Sequence, residues 1–114
     1  MTKKRITEIY RFLAIASMKR LNDEEKIALI RLLRQMKPVS QELGEAVEDA
    51  VQRASIDGIK DVQTFVNAAI ADIAEEETTI DTHIMTADTF DLLALSNEWC
   101  FGQIDELGDV LINK

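Results

Sequence analysis

Few residues of this chain are of types that could carry out chemistry. Its 114 residues include one histidine, His83, and one cysteine, Cys100. A Ser-His-Asp or Cys-His site would have to use His83 as its base, and no serine or cysteine stands at a spacing that indicates such a site. One cysteine also excludes an internal disulfide and the paired-thiolate patterns of zinc sites. The sequence therefore favours no nucleophilic or zinc-dependent catalysis.

The carboxylates and glycines also lack the spacing of known binding sites. The residue three positions before His83 is Ile80, which excludes the Glu-x-x-His pair of helical di-metal centres. The four glycines form neither a Walker loop nor a dinucleotide fingerprint. Carboxylates at helical spacing, such as Glu45 and Glu48, are typical of a solvated helix face. We therefore expect no catalytic residues, no cofactor and no metal.

The elements that position these residues are helices almost throughout. Apolar residues recur at spacings of three and four, which indicates amphipathic helices. No internal repeat and no long linker divides the chain, so we expect one all-α domain over residues 1–114, a bundle of four to six helices. The predicted helices cover residues 2–20, 23–37, 41–56 and 59–75, with a last helical region from about 87 that is continuous or broken near Gly102.

Several residues are typical of helix ends. Asn22 and Glu25 form the pattern of a capping box at the start of the second helix. Pro38 is expected to end that helix, because proline removes one backbone hydrogen bond and clashes with the preceding turn. Ser40 is then expected to cap the third helix, and Asp57-Gly58 to end it in a turn. Thr86 is expected to cap the last helical region.

Residues 78–85 do not follow the helical pattern. Alternating β-branched residues from Thr78 to Ile84 favour an extended conformation. One alternative is an ordinary extended connection. The other is a strand that pairs with a second copy or with another protein, since an all-α chain offers it no internal strand.

The charge is distributed unevenly along the chain. Residues 1–40 hold ten basic and four acidic side chains, a charge of +6, and residues 41–114 hold three basic and seventeen acidic ones, a charge of −14, which sum to −8. The basic helices can fold against the acidic ones, each face can be solvated, or the two signs can contact different partners.

The acidic residues also bear on which partners are expected. If the chain were a helix-turn-helix protein, Glu42 and Glu45 would lie on the recognition helix, where DNA phosphates would repel them. Direct nucleic-acid binding is therefore not expected. Glu75, Glu76 and Glu77 are expected at a helix C-terminus, either solvated or offset by the Lys3-Lys4-Arg5 cluster.

The first predicted helix has apolar residues on two sides. At 100° per residue, Ile6 and Leu13 share the side expected to face the core, while Phe12, Ile15 and Met18 lie on the other. A helix that is apolar on two sides is either buried centrally or binds a partner. The second side also holds Arg11 and is a candidate partner interface. Trp99 and Phe101 form a second candidate patch, because the three consecutive apolar residues at 99–101 cannot all face one core. The alternative for Trp99 is packing in the core.

The sequence indicates a cytoplasmic protein. Glu8 and Arg11 interrupt the apolar N-terminal stretch that a secretory signal would need. No segment approaches the roughly 20 apolar residues of a membrane-spanning helix. A lone Cys100 fits a reducing compartment.

Between Phe65 and Leu93 an amphipathic helix, a Glu-rich helix end, a short extended segment and a Leu-rich helix follow one another. The four segments are Phe65-Val66-Asn67-Ala68-Ala69-Ile70, Glu75-Glu76-Glu77, Ile80-Asp81-Thr82-His83-Ile84 and Phe90-Asp91-Leu92-Leu93. In this order they resemble a family of small helical proteins encoded by tailed phages and prophages, which has no assigned enzymatic activity. The resemblance implies a virion-assembly or other phage-associated role, and it carries over no functional residues.

Two functions are consistent with these features. The first is a non-enzymatic protein that binds a protein partner or itself in an assembly. The alternative is an acidic regulatory protein that occupies a basic surface of a nucleic-acid-binding protein. This alternative requires carboxylates from several helices to form one continuous surface.

Overall fold

A computed structural model of the chain describes residues 1–113. Over these residues it contains five α-helices and no β-sheet. The all-α class and a helix number between four and six are therefore confirmed. The helices are α1 (Lys3–Leu13), α2 (Asp23–Ile56), α3 (Val62–Ala74), α4 (Ala87–Asn97) and α5 (Phe101–Leu111).

The chain forms two compact units, each built from two separate stretches of sequence. Unit 1 comprises residues 1–10 and 36–79, and unit 2 comprises residues 11–35 together with the described residues from Ile80 onward. Buried apolar side chains form the core of each unit. They are Ile6, Ile9, Met36, Leu43, Ala50, Ala54, Val66 and Ala74 in unit 1, and Leu13, Leu21, Leu29, Leu32, Met85, Phe90, Leu93, Ala94, Leu107 and Leu111 in unit 2.

Each unit combines a basic stretch with an acidic one. In unit 1, residues 1–10 hold three bases and one acid (+2), and residues 36–79 hold three bases and ten acids (−7). In unit 2, residues 11–35 hold six bases and three acids (+3), and residues 80–113 hold seven acids and no base (−7). Of the three alternatives for the uneven charge, the fold therefore favours basic segments folded together with acidic ones.

Lys3 is the clearest case of this pairing in unit 1. Its side chain is 10% exposed, and its Nζ lies 3.0 Å from Glu42 Oε1 and 3.1 Å from Glu76 Oε1. Hydrogen bonds to Glu42 and then to Glu76 raise the pKa of Lys3. The N-terminal ammonium lies 3.1 Å from Glu77 Oε2. The expectation that Glu76 and Glu77 are only solvated is therefore wrong, because cations at the N-terminus offset them.

α2 runs through Pro38, so the prediction that Pro38 ends a helix is wrong. Ser40, expected to begin a third helix, lies in the interior of α2. The proline ring is exposed and removes only the hydrogen bond to the carbonyl of Arg34. Buried Met36 and Leu43 lie on either side of it, and their burial in one continuous helix outweighs that loss.

α1 is shorter than predicted, because it ends at Leu13 rather than near Arg20. Leu13 is its last buried residue, and the amide of Ala16 donates to the carbonyl of Leu13 at 3.0 Å in a turn that follows the helix. Ile15 and Met18 consequently lie in the connection between α1 and α2 and not on a helix face. The helical spacing that grouped them with Phe12 does not apply there.

The predicted turn at Asp57-Gly58 is confirmed. Gly58 has φ +66°, in the left-handed region that glycine adopts without steric cost. The amide of Ile59 donates to the carbonyl of Ala54 at 2.9 Å, which closes the end of α2. α3 then begins later than expected. Asp61 caps it by accepting from the amide of Thr64 at 3.2 Å.

The predicted capping box of α2 and the Thr86 cap of α4 are also confirmed. The amide of Glu25 donates to Asn22 Oδ1 at 2.8 Å, and the amide of Asn22 donates to Glu25 Oε1 at 2.9 Å. Thr86 Oγ1 accepts from the amide of Thr89 at 3.2 Å. The hydroxyl of Thr89 donates to Glu25 Oε2, which links the first turns of α2 and α4 within unit 2.

This link predicts a pH dependence of stability. The Thr89 hydroxyl and the Asn22 amide hold the pKa of Glu25 below its ordinary value of 4.5. Because folding lowers this pKa, the ionised Glu25 carboxylate stabilises the fold above pH 4.5. This stabilisation disappears as the pH falls through the lowered pKa and the carboxylate is protonated. Glu25→Gln should therefore lower the melting temperature at neutral pH, and its difference from wild type should shrink in acid.

Thermal unfolding followed by circular dichroism between neutral and acidic pH measures this difference. Glu24→Gln is the matched control, because Glu24 is exposed at the neighbouring position of the same helix. The carboxylate of Glu25 would have no such role if its variant differed from wild type equally at every pH.

Residues 78–85 form no strand. In unit 1 the amide of Thr78 donates to the carbonyl of Met1 at 2.8 Å. In unit 2 the amide of Ile84 donates to the carbonyl of Leu111 at 3.0 Å, and the amide of Asn113 donates to the carbonyl of Met85 at 2.7 Å. The backbone at both ends of the segment is thus paired internally, which favours the ordinary extended connection over a strand that awaits a partner.

Candidate functional site

The side chain of Asn97 holds the connection between α1 and α2 in unit 2. Its Oδ1 accepts from the amide of Ser17 at 2.6 Å. Its Nδ2 donates to the carbonyls of Ser17 at 3.0 Å and Leu93 at 2.8 Å. The amide thus uses both its oxygen and its nitrogen, and it ties the connection to the end of α4. The tied connection presents Ile15, whose side chain is 85% exposed.

Trp99 is positioned by an unusual backbone conformation at the preceding residue. Glu98 has φ 53° and ψ 41°, a left-handed conformation that is unfavourable for residues other than glycine and asparagine. It turns the chain so that the amide of Trp99 donates back to the carbonyl of Ala94 at 3.2 Å. The indole then lies 5.1 Å from the ring of Phe12 and 5.9 Å from that of Phe90, at tilts that favour aromatic contact.

These features form a groove of about 330 Å³ in unit 2, which we call the Trp99 groove. It combines Phe12 and Ile15 from one predicted patch with Trp99 from the other. Apolar side chains dominate its wall, so it suits an apolar side chain of a partner. The lining residues are Phe12, Ile15, Ala16, Asn97, Trp99 and Gln103.

A second groove, of about 530 Å³, shares Asn97 with the first and is called the Arg20 groove. Leu95, 61% exposed, is its apolar member. Lys19 and Arg20 are exposed and give it a cationic edge, with Glu98 as its one acid. The lining residues are Ser17, Lys19, Arg20, Leu95, Ser96, Asn97 and Glu98.

A third groove, of about 470 Å³, lies along α4 and α5 and is called the Phe101 groove. Phe101 is the first residue of α5 and is 81% exposed. The first turn of α5 is set by Gln103, whose side-chain oxygen accepts from the amide of Cys100 at 3.1 Å. The charged residues of this groove are all acids. The lining residues are Phe90, Asp91, Phe101, Ile104, Asp105, Gly108, Asp109, Ile112 and Asn113.

The six residues predicted for a partner interface fall into three sets. Phe12, Ile15 and Trp99 line one groove, and Phe101 lines another. Arg11 is exposed and Met18 is half-buried, and neither lines any of the three grooves described above.

Asn97 and Leu95 are the members of this surface that the sequence prediction missed. Asn97 bonds Ser17 across 80 positions of sequence, and no local pattern reveals such a contact. Leu95 belongs to a leucine-rich helix, where apolar spacing predicts burial and does not distinguish the exposed side.

The ring of His83 is hydrogen-bonded to the backbone. It is half-buried, and its Nδ1 lies 2.8 Å from the carbonyl oxygen of Ile112. A carbonyl can only accept, so the Nδ1 carries the proton. Within residues 1–113, no group of His, Cys, Asp and Glu side chains is arranged to hold a metal ion. Over the same range, no helix has the length and apolarity needed to cross a membrane.

No protein-family model, curated protein or solved structure matches this chain.

Proposed function

We propose that this is a cytoplasmic, non-enzymatic interaction protein that takes part in an assembly. Its partner would bind the surface formed by the Trp99 groove and the Arg20 groove. The observation that carries the proposal is Ile15, which stays 85% exposed on a connection that Asn97 holds with two hydrogen bonds to Ser17.

The apolar residues around Ile15 support this proposal. Isolated exposed apolar residues are ordinary, but here Phe12, Ile15 and Trp99 line one groove, and Leu95 follows in the adjoining one. Burying an exposed isoleucine or leucine side chain in a complex contributes about 1.5–3 kcal/mol. A surface that is already ordered loses little conformational entropy on binding, and tryptophan is common at the energetic centre of interfaces.

The resemblance of residues 65–93 to small helical proteins of tailed phages supports a phage-associated assembly. Assembly proteins bind other proteins through helical surfaces and need no catalytic residues. Identification of a phage structural protein as the binding partner would support this part of the proposal, and a partner unrelated to phages would contradict it.

The alternative function, an acidic regulatory protein, is favoured by one observation. Asp91, Asp105 and Asp109 come from two helices and line the Phe101 groove together. In unit 1, in contrast, Glu42 and Glu76 form ion pairs with Lys3. Four large apolar residues line the Trp99 and Arg20 grooves, against three aspartates in the Phe101 groove. We therefore place the alternative second.

Photo-crosslinking tests both functions. A photoreactive phenylalanine analogue replaces Ile15 or Phe101 in the full chain, in cells that naturally produce it. We expect a protein adduct from position 15. Replacement of Ala68, on the exposed part of α3, is the control and should yield no such adduct. An adduct with a nucleic-acid-binding protein from position 101 alone would favour the alternative, and no adduct from position 15 or 101 would contradict both.

A further inference from the structure

Two grooves of unit 2 have edges of opposite charge. Lys19 and Arg20 border the Arg20 groove, whose one acid is Glu98. Only aspartates supply charge to the Phe101 groove. Each groove also has an exposed apolar residue, Leu95 in the first and Phe101 in the second. The chain therefore carries both halves of a complementary contact on one unit.

The order of residues along α5 matches the receiving surface. Phe101, Asp105 and Asp109 are spaced by four, which places them on one face of the helix in successive turns. This face presents an exposed aromatic ring followed by two carboxylates. The receiving surface presents the apolar Trp99 groove and then, across Asn97, the cationic edge of the Arg20 groove.

We propose that the partner is a second copy of this chain, an inference that rests on the function proposed above. Phe101 of one copy inserts beside Ile15 and Trp99 in the Trp99 groove of the next. Asp105 and Asp109 then face Lys19 and Arg20 of that copy. Each contact therefore joins two different surfaces, the acidic face of α5 on one copy and the receiving surface of another.

Electrostatics explains why this orientation would be selected. Copies with a net charge of −8 repel one another, and this repulsion disfavours contacts between their acidic surfaces. The cationic edge at Lys19 and Arg20 instead attracts the acidic face of α5. Such charge complementarity sets the orientation of a contact whose affinity comes from apolar burial.

Exchange of the charges tests the proposal. The first variant carries Lys19→Glu with Arg20→Glu, and the second carries Asp105→Lys with Asp109→Lys. Each variant alone brings like charges together, and we expect its self-dissociation constant at low salt to rise at least about tenfold. An equimolar mixture should associate as wild type does, because every contact in an alternating assembly then joins opposite charges.

Sedimentation velocity of the full chain at low and high salt measures these constants. Phe101→Ser should also weaken association without lowering the melting temperature, which confirms that the variant folds. Glu48→Lys with Asp49→Lys is the control for the change of net charge, because both residues are exposed on α2 in unit 1 and belong to no groove described here. Association of this control should equal or exceed that of wild type.

The possible failures are distinguishable. A wild-type chain that stays monomeric at high concentration and low salt would overturn self-association, and so would a variant mixture that fails to recover. If the crosslink at position 15 then joins a different protein, the proposed function is still supported and the second copy is excluded. An absence of any adduct would overturn both.

Discussion

Replacing Phe90 by alanine is expected to lower the free energy of unfolding by about 3–5 kcal/mol. The Phe90 side chain is 1% exposed and contacts the ring of Trp99 at a centroid distance of 5.9 Å. A methyl group on Gly108 would lie 3.5 Å from the Phe90 ring, so α5 packs closely on it. Truncation leaves a cavity that this close packing cannot fill by a small relaxation.

Phe101→Ala is the matched control for Phe90→Ala. Both phenylalanines line the same groove, but Phe101 is 81% exposed and contributes little to the core. We expect its replacement to change the free energy of unfolding by less than about 0.5 kcal/mol. Urea unfolding followed by circular dichroism, at protein concentrations that keep the chain monomeric, measures both. Equal losses would place Phe101 in the core and remove it from the proposed interface.

Replacing Pro38 by alanine is expected to raise the free energy of unfolding by about 1–3 kcal/mol. The exposed ring of Pro38 makes no buried contact that alanine would lose, and alanine restores the amide that α2 lacks opposite the carbonyl of Arg34. For a domain of this size the melting temperature should rise by at least about 4 °C.

Gly44→Ala is the control that separates hydrogen bonding from helix propensity. Gly44 also lies inside α2, and an added Cβ there meets no atom within 4 Å. Its replacement should contribute about 1 kcal/mol, through propensity alone. Thermal unfolding of the two single variants and the double variant separates the effects. A lower stability of Pro38→Ala would mean that the fold requires a bend at this position.

Pro38 also illustrates where the sequence prediction of the fold fails. The rule that proline ends a helix is local: it considers the lost hydrogen bond and not the burial of residues farther along the chain. In the structure, buried residues on both sides of Pro38 favour one continuous helix of 34 residues. The same limitation explains α1, where apolar spacing continues to Met18 although the helix ends at Leu13.

The candidate surface could be predicted in part. Phe12, Ile15, Trp99 and Phe101 were identified because their apolar side chains exceed what one core-facing side can hold. Their grouping into two separate patches was wrong, since Phe12 and Trp99 are in ring contact. Asn97 was missed because its hydrogen bonds reach Ser17, 80 residues away in sequence. Leu95 was missed because apolar spacing predicts burial and does not distinguish the exposed side of a leucine-rich helix.

The sequence by itself determined the all-α class, the core-facing side of α1 and the caps at Asn22, Thr86 and Gly58. These features depend on residues within a turn or two of one another, so that spacing and side-chain type are sufficient. Only the tertiary structure decided that the uneven charge is combined within each unit and that Asn97 holds Ile15 at the surface. Both depend on contacts between distant residues, which no local pattern specifies.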